Sequence, residues 1–297
     1  MMRAVGVTEV LSELPGAVVI LFAILTQLGD FWFTFSVCTL LYWLGPWTPR
    51  LGQGLTRDRT AMLVALLAGA VALVVSLKPV FALPRPPGAG TATYVELLPV
   101  AFHGVYESMA TGEGYGFPSG HATVSVLVLG GFAWALRVGT RRTRIAVAAA
   151  LIGLIGISRL VLGVHYLADV LAGFAIAGTF LALSLGVLKT PDRVFGLAAI
   201  VAVAGLLIAG VSRDIAGALG VAVGGTVVWS LLGDSIPEPT RRGVTLTALL
   251  GLVTTGTLLG VTFGLDPTPP IVTLLAALGT GLLLALPLAG ERLAKKY

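Results

Sequence analysis

The chain has 297 residues, 56% of them hydrophobic and only 11% charged, with a formal net charge of +5. Charged residues make up about a quarter of an ordinary soluble domain, so the composition excludes one, and apolar runs of about twenty residues recur, as in a polytopic membrane protein. The basic residues sit mostly in short loops, which excludes a nucleic-acid partner, and the single cysteine, Cys38, excludes a disulfide framework or a thiolate metal cluster.

Residues 1–14 read as a short amphipathic lead-in without a small-residue cleavage site, so no removed signal peptide is expected. The apolar run 15–45 is too long for one straight span and is interrupted by Gln27, Gly29 and Asp30. It divides into a partly embedded segment at 17–27 and a first span at 30–45. Pro46, Pro49, Arg50, Arg57, Asp58 and Arg59 make a polar loop, and a second span runs from Ala61 to Lys78. The interval 79–117 is the longest hydrophilic one and carries Glu96, His103, Glu107 and Glu113. A loop of that length is either functional or disordered. Further spans are expected at 120–137, 145–162, 166–188, 194–211, 215–233, 243–263 and 271–289, for nine in all. No internal repeat with a convincing register argues for an inverted-repeat transporter. The spacing of Gly220 and Gly224 matches small-residue helix packing, but carries little information in a chain with 39 glycines.

Loop charges orient these spans. The loops at 46–59, 137–144, 189–193 and 234–242 and the C-terminal tail each hold two or more basic residues, whereas 163–165, 212–214 and 264–270 hold only Arg213 between them. Under the positive-inside rule the N-terminus lies outside and the C-terminus in the cytoplasm. That arrangement puts Arg85, the turn at 118–121 and His165 on the external face of the cell membrane.

Three polar clusters then share one end of the spans: Lys78 with Arg85 and Pro86; Pro118, Ser119, Gly120 and His121; and Ser158 and Arg159 with His165 and Asp169. Each has a plainer reading alone. Lys78 serves as a snorkelling helix end, Ser119 as an N-cap, and Arg159 and His165 as interfacial residues. Together they suit phosphoryl transfer, whose spread negative charge needs fixed donors and cations. Lys78, Arg85 and Arg159 offer three positive charges, two of them as guanidinium forks matched to phosphate. Ser119 and the amides of Gly120 and His121 open a helix N-terminus, a ready anion site, where Gly120 admits a close approach. If the chain is helical from His165 onward, Asp169 falls one turn later on the same face and holds one imidazole nitrogen while the other stays free to attack.

These patterns jointly resemble the type 2 phosphatidic acid phosphatase (PAP2) superfamily of membrane lipid phosphatases, whose signature is a lysine, six residues, then Arg-Pro; Pro-Ser-Gly-His; and Ser-Arg, five residues, His, three residues, Asp. Residues 78–169 carry all three in order and without substitution. The resemblance implies an all-α transmembrane bundle with a six-span core over roughly 17–190, and leaves 191–297 as a C-terminal extension of about four helices with no inherited function. It implies His165 as nucleophile, giving a phosphohistidine, Asp169 as its orienting group, and His121 as the acid and then the base. Lys78, Arg85, Ser119, Gly120 and Arg159 are left to hold phosphate. The expected substrate is a lipid phosphate or a polyprenyl (di)phosphate drawn from the bilayer, hydrolysed without a cofactor. Alternatives are transfer to an alcohol acceptor, a vanadate haloperoxidase, a zinc site of His121, His165 and Asp169 opposed by the three cations, and a transporter without catalysis. Asp30, an acid at the edge of the first span, is a functional candidate by position that an interfacial location explains equally well. Oligomeric state is not legible.

Overall fold

The computed structural model describes residues 6, 11, 14–47, 52, 54–264 and 266–296. Among them every regular element is a helix and none is a strand. The eleven α-helices are α1 Gly16–Leu25, α2 Phe31–Leu44, α3 Arg57–Phe81, α4 His103–Ala110, α5 Gly120–Ala135, α6 Arg141–Val161, α7 Leu167–Leu183, α8 Pro191–Ala209, α9 Arg213–Leu232, α10 Arg241–Gly264 and α11 Pro269–Lys296. Six of these, α3, α6, α7 with its π-turn to Leu188, α8, α9 and α11, are long and apolar enough to cross a membrane, and the bent pair α1–α2 makes a seventh. The protein is a multi-pass membrane protein. Helix α5 has 16 residues, about 24 Å at 1.5 Å per residue, less than a hydrocarbon core of about 30 Å.

Several boundaries differ from the sequence expectation for local reasons. The expected polar loop at 46–59 ends early, because Thr56 accepts from the Arg59 amide at 3.4 Å and caps a helix that already contains Arg57, Asp58 and Arg59. Pro49 and Arg50 of that loop, and most of the lead-in at 1–14, lie outside the described residues. The N-terminal apolar run breaks at Asp30, where a 3₁₀ turn at Thr26–Gly29 gives way to α2 and the axis bends by 42°. The long hydrophilic interval is ordered. Its backbone is tied to itself by Gly112 N–H to Ala89 O and Gly116 N–H to Leu83 O, both at 2.8 Å. Within it, α4 buries Tyr106 and Ala110 against Ala23 of α1.

Helix α3 is the hub. It packs on α5 on one side and on α8 and α9 on the other, with α2 alongside, and Met62 through Ala68 are buried without a gap. Helix α5 in turn packs on α6 and α7. The expected division at residue 190 therefore crosses a continuous interface. Tyr42 Oη donates to Leu284 O at 2.6 Å, Trp43 Nε1 to Leu283 O at 3.0 Å, and Arg57 Nε to Pro237 O at 3.2 Å, all joining the first spans to the last ones.

The glycine pair whose spacing carried little information in the sequence has a packing role. Helix α9 crosses α11 so closely that a Cβ at Gly220 would run into the Thr273 backbone, and one at Gly224 into the Ala277 backbone. Small residues are what allow membrane helices to meet at this distance. We expect Gly224→Leu to lose stability, because overpacking costs roughly 1–3 kcal/mol. Gly178→Leu, where a Cβ meets nothing within 4 Å, should leave the unfolding temperature unchanged. Thermal unfolding of both variants in detergent checks the contrast.

Candidate active site

The end of α6 decides the site. Gly163 takes φ +66°, a conformation glycine adopts without steric cost. Its N–H reaches Leu160 O at 3.0 Å while the Val164 N–H reaches Arg159 O at 3.2 Å. This pair of bonds is a Schellman C-cap. The reversal keeps Arg159 in the last turn of α6 and carries Val164 and His165 back beside it. The convergence of Arg159 and His165 is thus built by one glycine turn.

The helix that follows begins where the span was expected, one residue past 166. Tyr166 is its N-cap and Leu167 its first residue, so His165 lies outside α7. Asp169 nonetheless reaches both neighbours. One carboxylate oxygen, Oδ2, accepts from the Tyr166 N–H at 3.0 Å and lies 3.4 Å from His165 Nδ1. The cap that starts the helix is therefore also the group that faces the imidazole. Both Asp169 and His165 are buried.

Arg85 meets His165 from the other side. Its Nη1 is 3.0 Å from His165 Nε2 and donates to Val164 O at 2.9 Å, while its Nε donates to Glu113 O at 3.0 Å. A neutral imidazole with its proton on Nδ1 satisfies both contacts, leaving the Nε2 lone pair toward the guanidinium. Burial foremost pushes the His165 imidazole well below the usual histidine range, and Arg159 and Arg85 act the same way against the opposing pull of Asp169. The imidazole is therefore uncharged at neutral pH. Burial likewise disfavours the Arg85 charge, and Asp169 supports it. Two glycines make room for this arginine, since a Cβ at Gly112 would sit 2.7 Å from its Nη1 and one at Gly116 3.2 Å from its Cγ.

The remaining predicted residues border the same space. Arg159 is buried, donates through Nη1 to Thr26 Oγ1 at 3.1 Å, and keeps Nε without a hydrogen-bond partner. Lys78, in the last turn of α3, senses the charges of Arg85, Arg159 and Asp169. Ser119 is the N-cap of α5 as expected, yet its hydroxyl makes no capping bond and has no partner. Its amide instead donates to Asp169 O at 3.0 Å, which joins the starts of α5 and α7. Gly120 and His121 open α5, whose first N–H groups have no intrahelical acceptor. Lys78, Arg85, Ser119, Gly120, His121, Arg159, His165 and Asp169 thus gather at one end of the bundle. His103, in the long hydrophilic interval, contacts Leu98 O at 2.9 Å within the loop. Among the described residues no group of three His, Cys, Asp or Glu side chains is gathered to hold a metal ion.

Sequence reasoning missed the carbonyls of Glu113 and Val164 and the hydroxyl of Thr26, which hold the two arginines. Below them, a cavity of about 270 Å³ lies between α2, α3 and α5, lined by Asp30, His121 and the apolar side chains of Phe31, Val71, Val74 and Val124. Val71, Val74 and Lys78 lie on one face of α3, so the lysine follows one turn after the valines that line the cavity.

The family model for the PAP2 superfamily matches residues 59–193. A curated relative, the lipid A 1-phosphatase of Rhizobium etli, is 29% identical over 195 residues, covering 63% of this chain and 78% of that protein. No solved structure matches significantly.

Asp169→Asn tests the arrangement. An amide oxygen still accepts from the Tyr166 N–H, so the cap and the unfolding temperature should survive, whereas the charge facing His165 is lost. We expect turnover to fall by about 100-fold or more while KM for a lipid phosphate stays within about threefold. Steady-state kinetics in mixed micelles, beside a thermal melt, read both.

Proposed function

We propose, from the match of residues 59–193 to the PAP2 superfamily and the similarity to a lipid A 1-phosphatase, that this chain is a membrane lipid phosphatase that cleaves a lipid phosphate or diphosphate through a phosphohistidine at the external membrane face. The observation that carries the reading is the His165 environment. One nitrogen faces Asp169 and the other faces Arg85, with Arg159 and Lys78 close enough to share their field.

In this reading the phosphate lies among Lys78, Arg85, Arg159, the Ser119 hydroxyl and the first amides of α5. Arg159 Nε and Ser119 Oγ are buried donors without partners, and a phosphoryl group supplies acceptors for both. His165 Nε2 attacks phosphorus as the bond to the lipid oxygen breaks, and Asp169 stabilises the positive charge that develops on the ring. His121 gives its proton to the departing lipid oxygen. It then takes one from the water that attacks phosphorus, releasing phosphate and restoring His165. The apolar cavity under Lys78 accommodates alkyl chain near the leaving oxygen, which favours a lipid over a soluble phosphate ester. The relative's action on lipid A places glycolipid phosphates among the candidate substrates, beside phosphatidate and polyprenyl (di)phosphates.

The external placement rests on the distribution of basic residues. Arg59, Arg137, Arg141, Arg142, Arg144, Lys189, Arg193, Arg241, Arg242, Lys295 and Lys296 flank helix ends away from the site. We propose residues 1–190 as the catalytic unit and 191–297 as the extension packed against it.

Purified protein in detergent should release phosphate from long-chain lipid phosphates, and His165→Ala should abolish both release and an acid-labile, base-stable phosphoenzyme trapped with radiolabelled substrate. Turnover and labelling retained in His165→Ala would falsify the assignment. Phosphate release compared across lipid A, phosphatidate and polyprenyl (di)phosphates identifies the substrate.

A further inference from the structure

We propose that Asp30 is the positioning residue for His121, forming with it a second carboxylate–imidazole pair that serves proton transfer as Asp169 and His165 serve nucleophilic attack. The inference rests on the reading of His121 as the proton carrier. It assigns a role to an acid outside the three sequence patterns of the site.

Asp30 Oδ2 lies 3.3 Å from His121 Nε2. The contact is at ion-pair distance but outside hydrogen-bond alignment. The other oxygen, Oδ1, accepts from the Trp32 N–H at 3.3 Å and caps α2. Helix capping alone thus accounts for one oxygen of the carboxylate, and the second is turned toward the imidazole. The fold brings the two residues together by the break between α1 and α2. Gly29 packs there against Ile155 of α6, where a Cβ would sit 2.8 Å from Ile155 Cγ2 and 3.4 Å from His121 O. The same break presents Thr26 to Arg159, so residues four apart on one short turn hold an arginine and a histidine of the site.

Charge gives the pairing a function. The groups that face His121 are Asp30 from the start of α2, Arg159 from α6 and Lys78 from α3. Burial foremost, and with it the two cations, disfavours a protonated imidazole. Asp30 supplies the negative charge against which the ring can hold a proton until the lipid oxygen takes it. Both members of the pair line the apolar cavity under Lys78, the side from which the lipid oxygen departs in this reading. With side-chain exposures of 21% for His121 and 30% for Asp30, the pair is reachable from that space. During the first step the N–H bond of His121 breaks and an O–H bond forms on the leaving alcohol, as His165 bonds to phosphorus. During hydrolysis a water proton returns to His121.

The test uses leaving-group chemistry, because an alkoxide needs a proton to depart and a nitrophenolate does not. Asp30→Asn keeps a capping oxygen, Asn being as good an N-cap as Asp, and removes only the charge. We expect its single-turnover cleavage of an alkyl lipid phosphate to fall by about 100-fold. The pre-steady-state burst of nitrophenolate from 4-nitrophenyl phosphate should stay within about threefold of the unaltered enzyme, followed by slower hydrolysis of the phosphoenzyme. Asp30→Ser, a second capping variant, should show the same selectivity, and a thermal melt reports folding. His121→Ala is the reference. If His121→Ala is selective and the Asp30 variants slow both substrates equally, Asp30 is structural and the inference is overturned. If His121→Ala itself shows no selectivity, the proton-carrier reading fails and takes the inference with it.

Discussion

Three cations brought to one end of a helical bundle repel one another, and the site is organised around containing that repulsion. Lys78, Arg85 and Arg159 come from three separate elements and sense one another's charge. In a medium of low effective dielectric such a cluster is costly unless each charge is paired and hydrogen-bonded. Two carboxylates, Asp30 and Asp169, oppose the three cations and leave one positive charge in excess. Neutral acceptors hold the rest of the structure in place: the carbonyls of Glu113 and Val164 for Arg85, and the hydroxyl of Thr26 for Arg159. In the proposed reading a phosphoryl group offsets that excess, because its oxygens accept from the same forks and carry negative charge. The donors are fixed before any substrate arrives, so little reorganisation is needed when negative charge develops on the equatorial oxygens.

Chain reversals, and not the helices themselves, set the precision of this cluster. The Schellman turn at Gly163 returns Val164 and His165 to the level of Arg159. The Asp169 carboxylate then accepts from the Tyr166 amide and faces His165, so starting α7 and orienting the imidazole are one act. The Ser119 amide spends its donor on the Asp169 carbonyl, which sets the start of α5 against the start of α7. Displacing any of these turns moves two site residues at once, and that coupling is what a preorganised electrostatic site requires.

What could be read from the sequence follows from the range of the interactions. The three motifs were legible because each is local: a helix end with its outgoing strand of loop, a helix start, and one turn joining two helices. The apolar runs were legible because spans must satisfy their backbone internally. Residues joined across the bundle were not. Asp30 and His121 lie 91 positions apart, Thr26 and Arg159 lie 133 apart, and no periodicity links them. Asp30 was visible as an intramembrane acid, but its partner was not. The start of α7 at Tyr166 and Leu167 agrees with the expected span to one residue, whereas the double use of the Asp169 carboxylate, on the Tyr166 amide and toward His165, was not legible. Gly220 and Gly224 looked uninformative because glycine is abundant; only the backbone of α11 at Thr273 and Ala277 gives their spacing a meaning.

The last four helices fit this picture through α3. That helix carries Lys78 in its final turn, is buried from Met62 to Ala68, and faces α5 with one side and α8 and α9 with the other. A lysine at the end of a helix with one side open to lipid would shift with every tilt of that helix. Packing on both sides removes that freedom, and Gly205 of α8 meets Ser76 of α3 so closely that a Cβ there would displace the serine. Ser76 lies two residues before Lys78, so this close contact between α3 and the extension falls within one turn of a site cation. The extension carries none of the three motifs, yet through α8 it limits where the ammonium group of Lys78 can be. The register of α3 against α8 is thus part of the geometry of the proposed phosphate site.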